Sequence, residues 1–403
     1  MTRQNRNNKR RSNIRTKYSF ILFIIGLCLF GLYYFIIHGF INKSIPSTNH
    51  IPVTSNKAPS VAYSKLLGNY LFSGTVMLGR AVGTYSNGNY DQPFSGMSTL
   101  GKYDANIGVL ECPITNNADS YENQRNNLIF NCNPAWVPYL KKYFPVLSLS
   151  SDHLNDQGSQ GYKDTVSNLT NGGIQTVGNY NPHAEKDNCK IVVLPIHLVK
   201  TNSVQVAGSL PIALCSYNYK IIYSPSPGEL ESIKKWSKIM PVIGLMNGGP
   251  EYKHIAGVDQ ANVAHKMIDY GADFVVGNGT HWVQNTEVYK SKLIVYSMGN
   301  FIFDQLDQDG RDALNLSVSM TVPYDSNLSS WVDIGNSCVS QTSSCPALIE
   351  SHHLTKINPK YSFDAIGSYG GYLQVATLAD KTQQDYILMR SNWKQSMSQL
   401  NQQ

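Results

Sequence analysis

The chain has 403 residues, of which 15% are charged, and its formal net charge is +6. Residues 1–17 hold seven Lys and Arg and no acid, so the remainder sums to 6 − 7 = −1. A near-neutral body of this length can bury one large core or two modest ones, and its charge argues against a general nucleic-acid-binding surface.

The basic tail leads into an apolar run, residues 18–41, which is long enough to cross a bilayer as a helix. Positive residues on its N-terminal side predict a cytoplasmic N-terminus and an extracellular C-terminal domain in a single-pass cell-membrane protein. A cleaved signal peptide is the alternative, but residues 33–38 lack the small-residue cleavage site that it needs. Residues 42–64 are rich in Ser, Pro, Asn and Thr, which predicts a stalk.

The six cysteines that follow the apolar run suit an oxidising compartment and predict disulfides: Cys112, Cys132, Cys189, Cys215, Cys338 and Cys345. Six cysteines allow fifteen pairings, so the sequence does not determine the connectivity. Neighbours along the chain are the favoured pairs, and Cys338 with Cys345 would close a short loop. A zinc site is the weaker alternative, because no pair has C-x-x-C spacing.

Strand-like runs alternate with helical patterns through a main domain that we place at residues 65–390. The predicted strands include residues 70–73, 107–110, 146–149, 191–194, 241–245, 273–276 and 293–296. Apolar residues at helical spacing predict helices before Gly172, after Ser226 and before Gly271. The alternation indicates an α/β domain whose ligand site lies at the strand ends. The pattern loosens after residue 307, and residues 391–403 suggest a polar, frayed tail.

Side chains that can donate to a metal or a substrate stand directly after several of these strands. They are Thr75, Glu111, Asp152, His153, Asn247, Glu251, His281 and Asn300. The segment from Gly277 to Phe301 is the most informative, because two apolar strands there end in Gly-Asn turns and one turn ends at a histidine. Histidine and asparagine at neighbouring strand ends can point donors into a shared crevice.

The strand-end blocks, in this order, resemble the CapA family of poly-γ-glutamate capsule synthesis proteins (PGA_cap domain), which is related to calcineurin-like metallophosphatases. The blocks are Gly74-Thr-Val-Met-Leu-Gly-Arg80, Val109-Leu-Glu111, Ser151-Asp-His153, Asn247-Gly-Gly-Pro-Glu-Tyr252, Gly277-Asn-Gly-Thr-His281 and Tyr296-Ser-Met-Gly-Asn-Phe301. The resemblance extends from about residue 67 to 304. It implies a metallophosphatase-like four-layer αββα sandwich, in which two central sheets are flanked by helices.

The departures from the family pattern fall on its metal ligands. Thr75 stands at the family's first aspartate, Asn247 at the histidine of His-x-Gly, and Asn278 at the first histidine of Gly-His-x-x-His. Two divalent ions need carboxylates to offset their mutual repulsion, so we do not expect a full two-metal site. The residues are compatible with one weakly held divalent ion (Mn, Mg or Zn) or with none. Its predicted ligands are Glu111, Asp152 and His281, with Asn247 nearby.

The resemblance also implies roles around this site. His153 corresponds to a histidine that resembles a general acid beside the metal, and the alternative is a hydrogen-bonded structural residue. The expected supporting residues are Thr75, Arg80, Glu251, Asn278 and Asn300.

Three functions are consistent with these residues. The first is a membrane-anchored, extracytoplasmic CapA-like protein for synthesis, anchoring or handling of an envelope polymer such as poly-γ-glutamate, with weak or no metal-dependent catalysis. Its expected partners are the membrane bilayer, the anionic polymer and a capsule synthase complex. The second is a metal-dependent hydrolase of phosphoesters or amide-linked polymers. The third is a non-catalytic polymer-binding scaffold.

Overall fold

The structure is a computed structural model that describes residues 63–117, 121–201, 205–219, 225–340 and 342–402. The expected cytoplasmic tail and transmembrane segment, and nearly all of the expected stalk, lie outside the described residues. Within the described ranges, no helix is long and apolar enough to span a membrane.

The described chain contains a mixed sheet of fourteen strands. They are β1 (Tyr63–Val76), β2 (Ala105–Leu110), β3 (Val146–Ser148), β4 (Gln175–Val177), β5 (Cys189–Lys200), β6 (Gln205–Asn218), β7 (Val242–Asn247), β8 (Phe274–Asn278), β9 (Thr286–Tyr289), β10 (Lys292–Val295), β11 (Asn300–Ile302), β12 (Asp312–Pro323), β13 (Lys360–Gly370) and β14 (Ala376–Leu378). The seven strands expected from the sequence all overlap members of this set.

Strand β1 is the branch point of the sheet. Its N-terminal part lies between the antiparallel strands β12 and β5, and its C-terminal part lies between the parallel strands β2 and β11. One branch continues from β2 through β3 to β4, and another runs from β5 through β6, β7, β8 and β10 to β9. The third continues from β12 through β13 to β14. The branches diverge from one strand. The loop that follows β1 therefore lies beside the ends of strands from the β2 branch and the β5 branch.

Helices pack around these branches. They are α1 (Arg80–Ser86), α2 (Tyr121–Asn127), α3 (Val137–Tyr143), α4 (Gly158–Asn171), α5 (Glu185–Asn188), α6 (Pro227–Ser237), α7 (Val258–Asp269), α8 (Gln308–Arg311), α9 (Ser326–Ser340), α10 (Cys345–His352), α11 (Lys381–Arg390) and α12 (Trp393–Asn401). Local sequence explains α6 well: Ser226 and Glu229 form a capping box around Pro227. The three helices predicted from apolar spacing are α4, α6 and α7, so the α/β prediction is confirmed.

The buried apolar side chains form two clusters. One includes Phe274 and Trp331 and surrounds the branch from β5 to β10. The other includes Trp136, Phe144 and Leu169 and fills the space between the β2 branch and helices α3 and α4. Each branch therefore buries its own apolar face, which fixes the position of the strand ends where the predicted site residues lie.

The structure differs from the sequence-based expectation after residue 307. Strands β12 and β13 lie there, and β12 is a direct neighbour of β1. The expectation of a frayed tail over residues 391–403 is wrong, because α12 holds the buried side chains of Trp393 and Ser396. Thr286 of β9 donates to the carbonyl of Ser391 and lies within hydrogen-bond distance of Ser396. A polar helix is held by a few buried anchors rather than by a continuous apolar face.

Three disulfides join cysteines that are neighbours along the chain, as predicted: Cys112–Cys132, Cys189–Cys215 and Cys338–Cys345. The second joins positions that face each other across the β5–β6 ladder. The third lies between α9 and α10.

Candidate functional site

The turn at residues 298 and 299 connects the strand ends that carry the predicted site. The amide of Thr75, at the end of β1, donates to the carbonyl of Gly299 at 3.0 Å. The amide of Met298 donates to the carbonyl of Gly277, at the end of β8, at 2.9 Å. In the ladders, Thr75 lies opposite Asn300. We call the region where these strand ends meet the strand-end crevice.

One wall of the crevice presents neutral oxygen atoms. Asn247 and Asn278 face each other across the β7–β8 ladder, and both are buried, as is Thr75. Thr75 Oγ1, Asn247 Oδ1 and Asn278 Oδ1 accept no hydrogen bond from any described residue. Buried acceptors without a donor cost free energy, so they mark a position suited to a ligand's donor or to an ion.

Glycine is required beside this wall. Gly279 has a φ of +90°, and a Cβ atom there would lie 2.5 Å from Asn247 Oδ1. A cavity of about 260 Å³ adjoins Asn247, and its other lining residues include Gly248, Pro250, Val258 and Gln260. The small residues therefore leave room beside the amide that a side chain would fill.

The opposite wall carries acidic side chains. Glu111 is fully buried and accepts a hydrogen bond from Ser151 Oγ at 2.9 Å. His153 Nε2 lies 4.0 Å from Asp152 Oδ2, and its Nδ1 lies 2.8 Å from Asp156 Oδ2. Burial by itself lowers the pKa of His153, but the hydrogen bond to Asp156 and the charges of the three acids raise it above 6.5 overall. The surrounding acids thus shift the protonation equilibrium of this ring toward the imidazolium.

His281 occupies the third part of the crevice. Its φ is +65°, which is uncommon for a residue with a side chain, and its Nδ1 lies 3.2 Å from Asn300 Oδ1. The ring stacks on Tyr252, with centroids 5.4 Å apart. Asn300 also donates to the carbonyl of Gly310 at 2.9 Å. Asn300 therefore both supports the turn backbone and orients the histidine.

Arg80 lies between the part of the crevice that carries His153 and the part that carries His281. Its guanidinium forms a two-point ion pair with Asp304, in which the Nε–Oδ2 distance is 3.0 Å. The same group lies 4.5 Å from the ring centroid of Phe130 and 5.3 Å from that of Phe303. Phe130 stacks on His153 at 3.9 Å. Arg80 thus contacts both Phe130 and Phe303, which lie between His153 and His281.

Glu251 lies on a partly exposed turn at the rim of the crevice. The adjacent Tyr252 donates its amide to the carbonyl of Thr280 and accepts a hydrogen bond from Gln305 through its hydroxyl, both at 3.0 Å. This turn is therefore fastened to the loop that carries His281.

The sequence-based reasoning did not identify four residues of this arrangement: Phe130, Asp156, Phe303 and Asp304. Asp156 and Asp304 lie a few residues after the blocks of His153 and Asn300, so proximity to a block was the available signal. Nothing in the local sequence of Phe130 points to His153, because their contact depends on the tertiary fold.

A dinuclear centre does not fit these residues. In the described part of the chain, no group of three or more His, Cys, Asp or Glu side chains is placed to hold a metal ion. The structure therefore does not gather Glu111, Asp152 and His281 into such a group. The remaining oxygens, those of Thr75 and Asn247, are hydroxyl and amide oxygens, which are poor ligands for zinc and offset no positive charge.

Residues 69–305 match the family model described as bacterial capsule synthesis protein PGA_cap. The chain belongs to this family. The match includes every predicted site residue and confirms the resemblance to CapA.

The relatives of this PGA_cap member include the capsule biosynthesis protein CapA of Bacillus anthracis, at 29% identity over 58% of this chain and 59% of the relative. The PGA biosynthesis protein CapA of Bacillus subtilis is 30% identical over 58% and 63% of the two chains. A probable polyglutamine synthesis accessory protein of Mycobacterium tuberculosis is 27% identical over 54% and 62%. The chain thus spans about three fifths of the length of these curated relatives.

Proposed function

We propose that this protein is a membrane-anchored, extracytoplasmic protein that binds and handles an anionic capsule or envelope polymer such as poly-γ-glutamate. The observation that carries the proposal is the PGA_cap match over residues 69–305, which encloses the whole strand-end crevice. The names of two relatives refer to biosynthesis of a capsule or of PGA. A capsule synthase complex in the membrane is the proposed protein partner.

The crevice chemistry supports an amide-linked ligand. The buried acceptors of Thr75, Asn247 and Asn278 need N–H donors, and the amide groups of such a polymer supply them. The donor set does not fit a dinuclear centre, so the proposed role is binding and positioning of the polymer with weak or no metal-dependent catalysis.

The anchoring part of the proposal rests on the sequence. The apolar run at residues 18–41 and the seven basic residues before it support a single membrane span with the polymer-binding domain outside. For that domain we infer the metallophosphatase-like four-layer sandwich. Support comes from β1, which all three branches share, and from the two separate apolar clusters.

A metal-dependent hydrolase is the second candidate, favoured by the arrangement of His153. Asp156 fixes Nδ1 of this histidine, which leaves Nε2 on the side of Asp152, and a ring fixed in this way can serve as a general acid. A divalent ion would supply a Lewis acid or an activated water. Stoichiometric Mn, Fe or Zn in the purified protein, with product release that is lost in His153→Gln, would favour this candidate.

The proposed function is tested by binding. The full-length protein in detergent micelles is titrated with fluorescently labelled poly-γ-glutamate, with neutral dextran as the comparison polymer. We expect binding of the acidic polymer only, weakened roughly tenfold or more by Asn247→Ala with Asn278→Ala, because two hydrogen bonds are lost. Asn401→Ala, on the exposed face of α12, is the matched control. Absence of binding, or equal binding by the double variant, would contradict the proposal.

A further inference from the structure

A second depression lies along the side of the sheet, between β4 and β5. It has a volume of about 870 Å³, and its wall includes Gln175, Lys190 and Val193. A smaller cavity of about 280 Å³ shares Lys190 with it and extends toward α4. We call the two together the flank groove. None of its lining residues lines the strand-end crevice.

Two strand edges border the flank groove. Strand β4 pairs only with β3 in the described chain, and β5 pairs with β1 only from His197 to Lys200. On this side, residues 189–196 of β5 therefore have no strand as a neighbour among those described. The side chain of Gln175 bridges the gap: its Nε2 donates to the Val193 carbonyl at 2.9 Å, and the Val193 amide donates to its Oε1 at 2.8 Å. An amide group is thus already paired with the backbone of this edge.

The groove is also positively charged. Its described lining includes four lysines, namely Lys141, Lys163, Lys186 and Lys190, and one acid, Asp187. The sum is 4 − 1 = +3, in a chain whose residues after 17 sum to −1. Asp187 lies 3.2 Å from Lys190, which leaves three lysines without an acid among the described lining residues. Beneath them lie apolar side chains such as Ile191 and Trp236.

We propose that the flank groove binds an extended polyamide that carries carboxylates. Such a chain would lie along the edge of β5 as an added strand. Its amides would replace the Gln175 side chain on the backbone of Val193, and its carboxylates would pair with the lysines. The stretch from Lys190 to Pro195 is about 17 Å long, which gives room for several repeats. The inference rests on the proposed function and adds a second contact, so that one polymer chain is held both in the crevice and along the flank.

The test compares polymers and variants on the full-length protein in detergent micelles. Labelled poly-γ-glutamate is titrated against wild type and against Lys141→Gln/Lys163→Gln/Lys186→Gln. The matched control is Lys234→Gln/Lys381→Gln/Lys394→Gln, which removes the same charge from lysines outside the groove lining. Polyacrylate of equal length offers carboxylates without amides, and an unchanged melting temperature shows that each variant folds.

We expect the groove variant to bind poly-γ-glutamate roughly tenfold more weakly, since each exposed ion pair contributes a small and similar amount. The control variant should bind like wild type, and wild type should prefer poly-γ-glutamate to polyacrylate. Equal binding by the groove variant and wild type would overturn the groove assignment alone, and the crevice would then account for binding. Equal affinity for polyacrylate would overturn the strand-edge pairing. No binding by wild type would overturn both this inference and the proposed function.

Discussion

The ion pair between Arg80 and Asp304 gives the sharpest stability prediction. Both side chains are nearly buried, with exposed fractions of 10% and 7%. Asp304 also accepts a hydrogen bond from the amide of Ala81 at 3.3 Å. Asp304→Asn keeps the shape and one acceptor oxygen but removes the charge, so it leaves a guanidinium buried between Phe130 and Phe303 with no counter-charge.

The expected cost follows from the burial of the pair. Removing one partner of a buried ion pair costs about 3–5 kcal/mol, because the other charge stays desolvated. The retained amide oxygen offsets part of that loss, so we expect Asp304→Asn to lower the free energy of unfolding by about 2–3 kcal/mol. Arg80→Met in the same chain removes the orphaned charge. The double variant should therefore be more stable than Asp304→Asn alone by about 1 kcal/mol or more.

The assay is urea denaturation of the full-length protein in detergent, followed by tryptophan fluorescence. The control is Glu350→Gln, whose partner Lys235 lies at the surface, with exposed fractions of 56% and 47% for the lysine and the acid. Removing this exposed pair should change the free energy of unfolding by less than about 0.5 kcal/mol. If Asp304→Asn costs no more than the control, or if Arg80→Met adds further destabilisation, the account of Arg80 as a buried organiser of the crevice is refuted.

Three further predictions concern stability. Gly279→Ala should lower the free energy of unfolding by about 1–3 kcal/mol. Adding Asn247→Ala should recover only the part of this loss that comes from the contact between the new Cβ atom and Asn247 Oδ1, and a double-mutant cycle measures that part. Burial raises the pKa of Asp273 above 3.8, so its stabilising contribution is lost as the pH rises through the folded-state value. Asp273→Asn should therefore gain stability relative to wild type as denaturation is repeated from acidic to neutral pH, and a constant difference would contradict this. Serine at both Cys112 and Cys132, which are 20 residues apart, should cost about 3 kcal/mol, and an unchanged melting curve would count against it.

The sequence predicted the parts of the fold that local patterns specify. The apolar strands before Gly277 and Asn247, and the helix that ends before Gly271, follow from hydrophobic spacing and glycine turns. Strand β12 carried a signal that could have been used, since Leu314, Leu316, Val318 and Met320 alternate with polar residues. Its partner β1 lies more than two hundred residues away, and no local pattern indicates that pairing.

The candidate site likewise contains residues that local sequence predicted and contacts that it did not. Residues at strand ends, such as Asn247 and His281, were predicted because turns follow apolar runs. The pairing of Arg80 with Asp304 and the stacking of Phe130 on His153 were not, because each depends on loops that only the complete fold brings together. The flank groove was not predicted either. Its lysines lie on separate elements, and only the tertiary fold brings their charges together.

The central claim is that the crevice binds an acidic polymer without a metal centre. The most direct measurement is the dissociation constant of full-length protein for labelled poly-γ-glutamate, first after chelation with EDTA and then with added Mn²⁺. The account predicts binding with the same dissociation constant in both buffers. Binding that requires Mn²⁺, or no binding in either buffer, would contradict it.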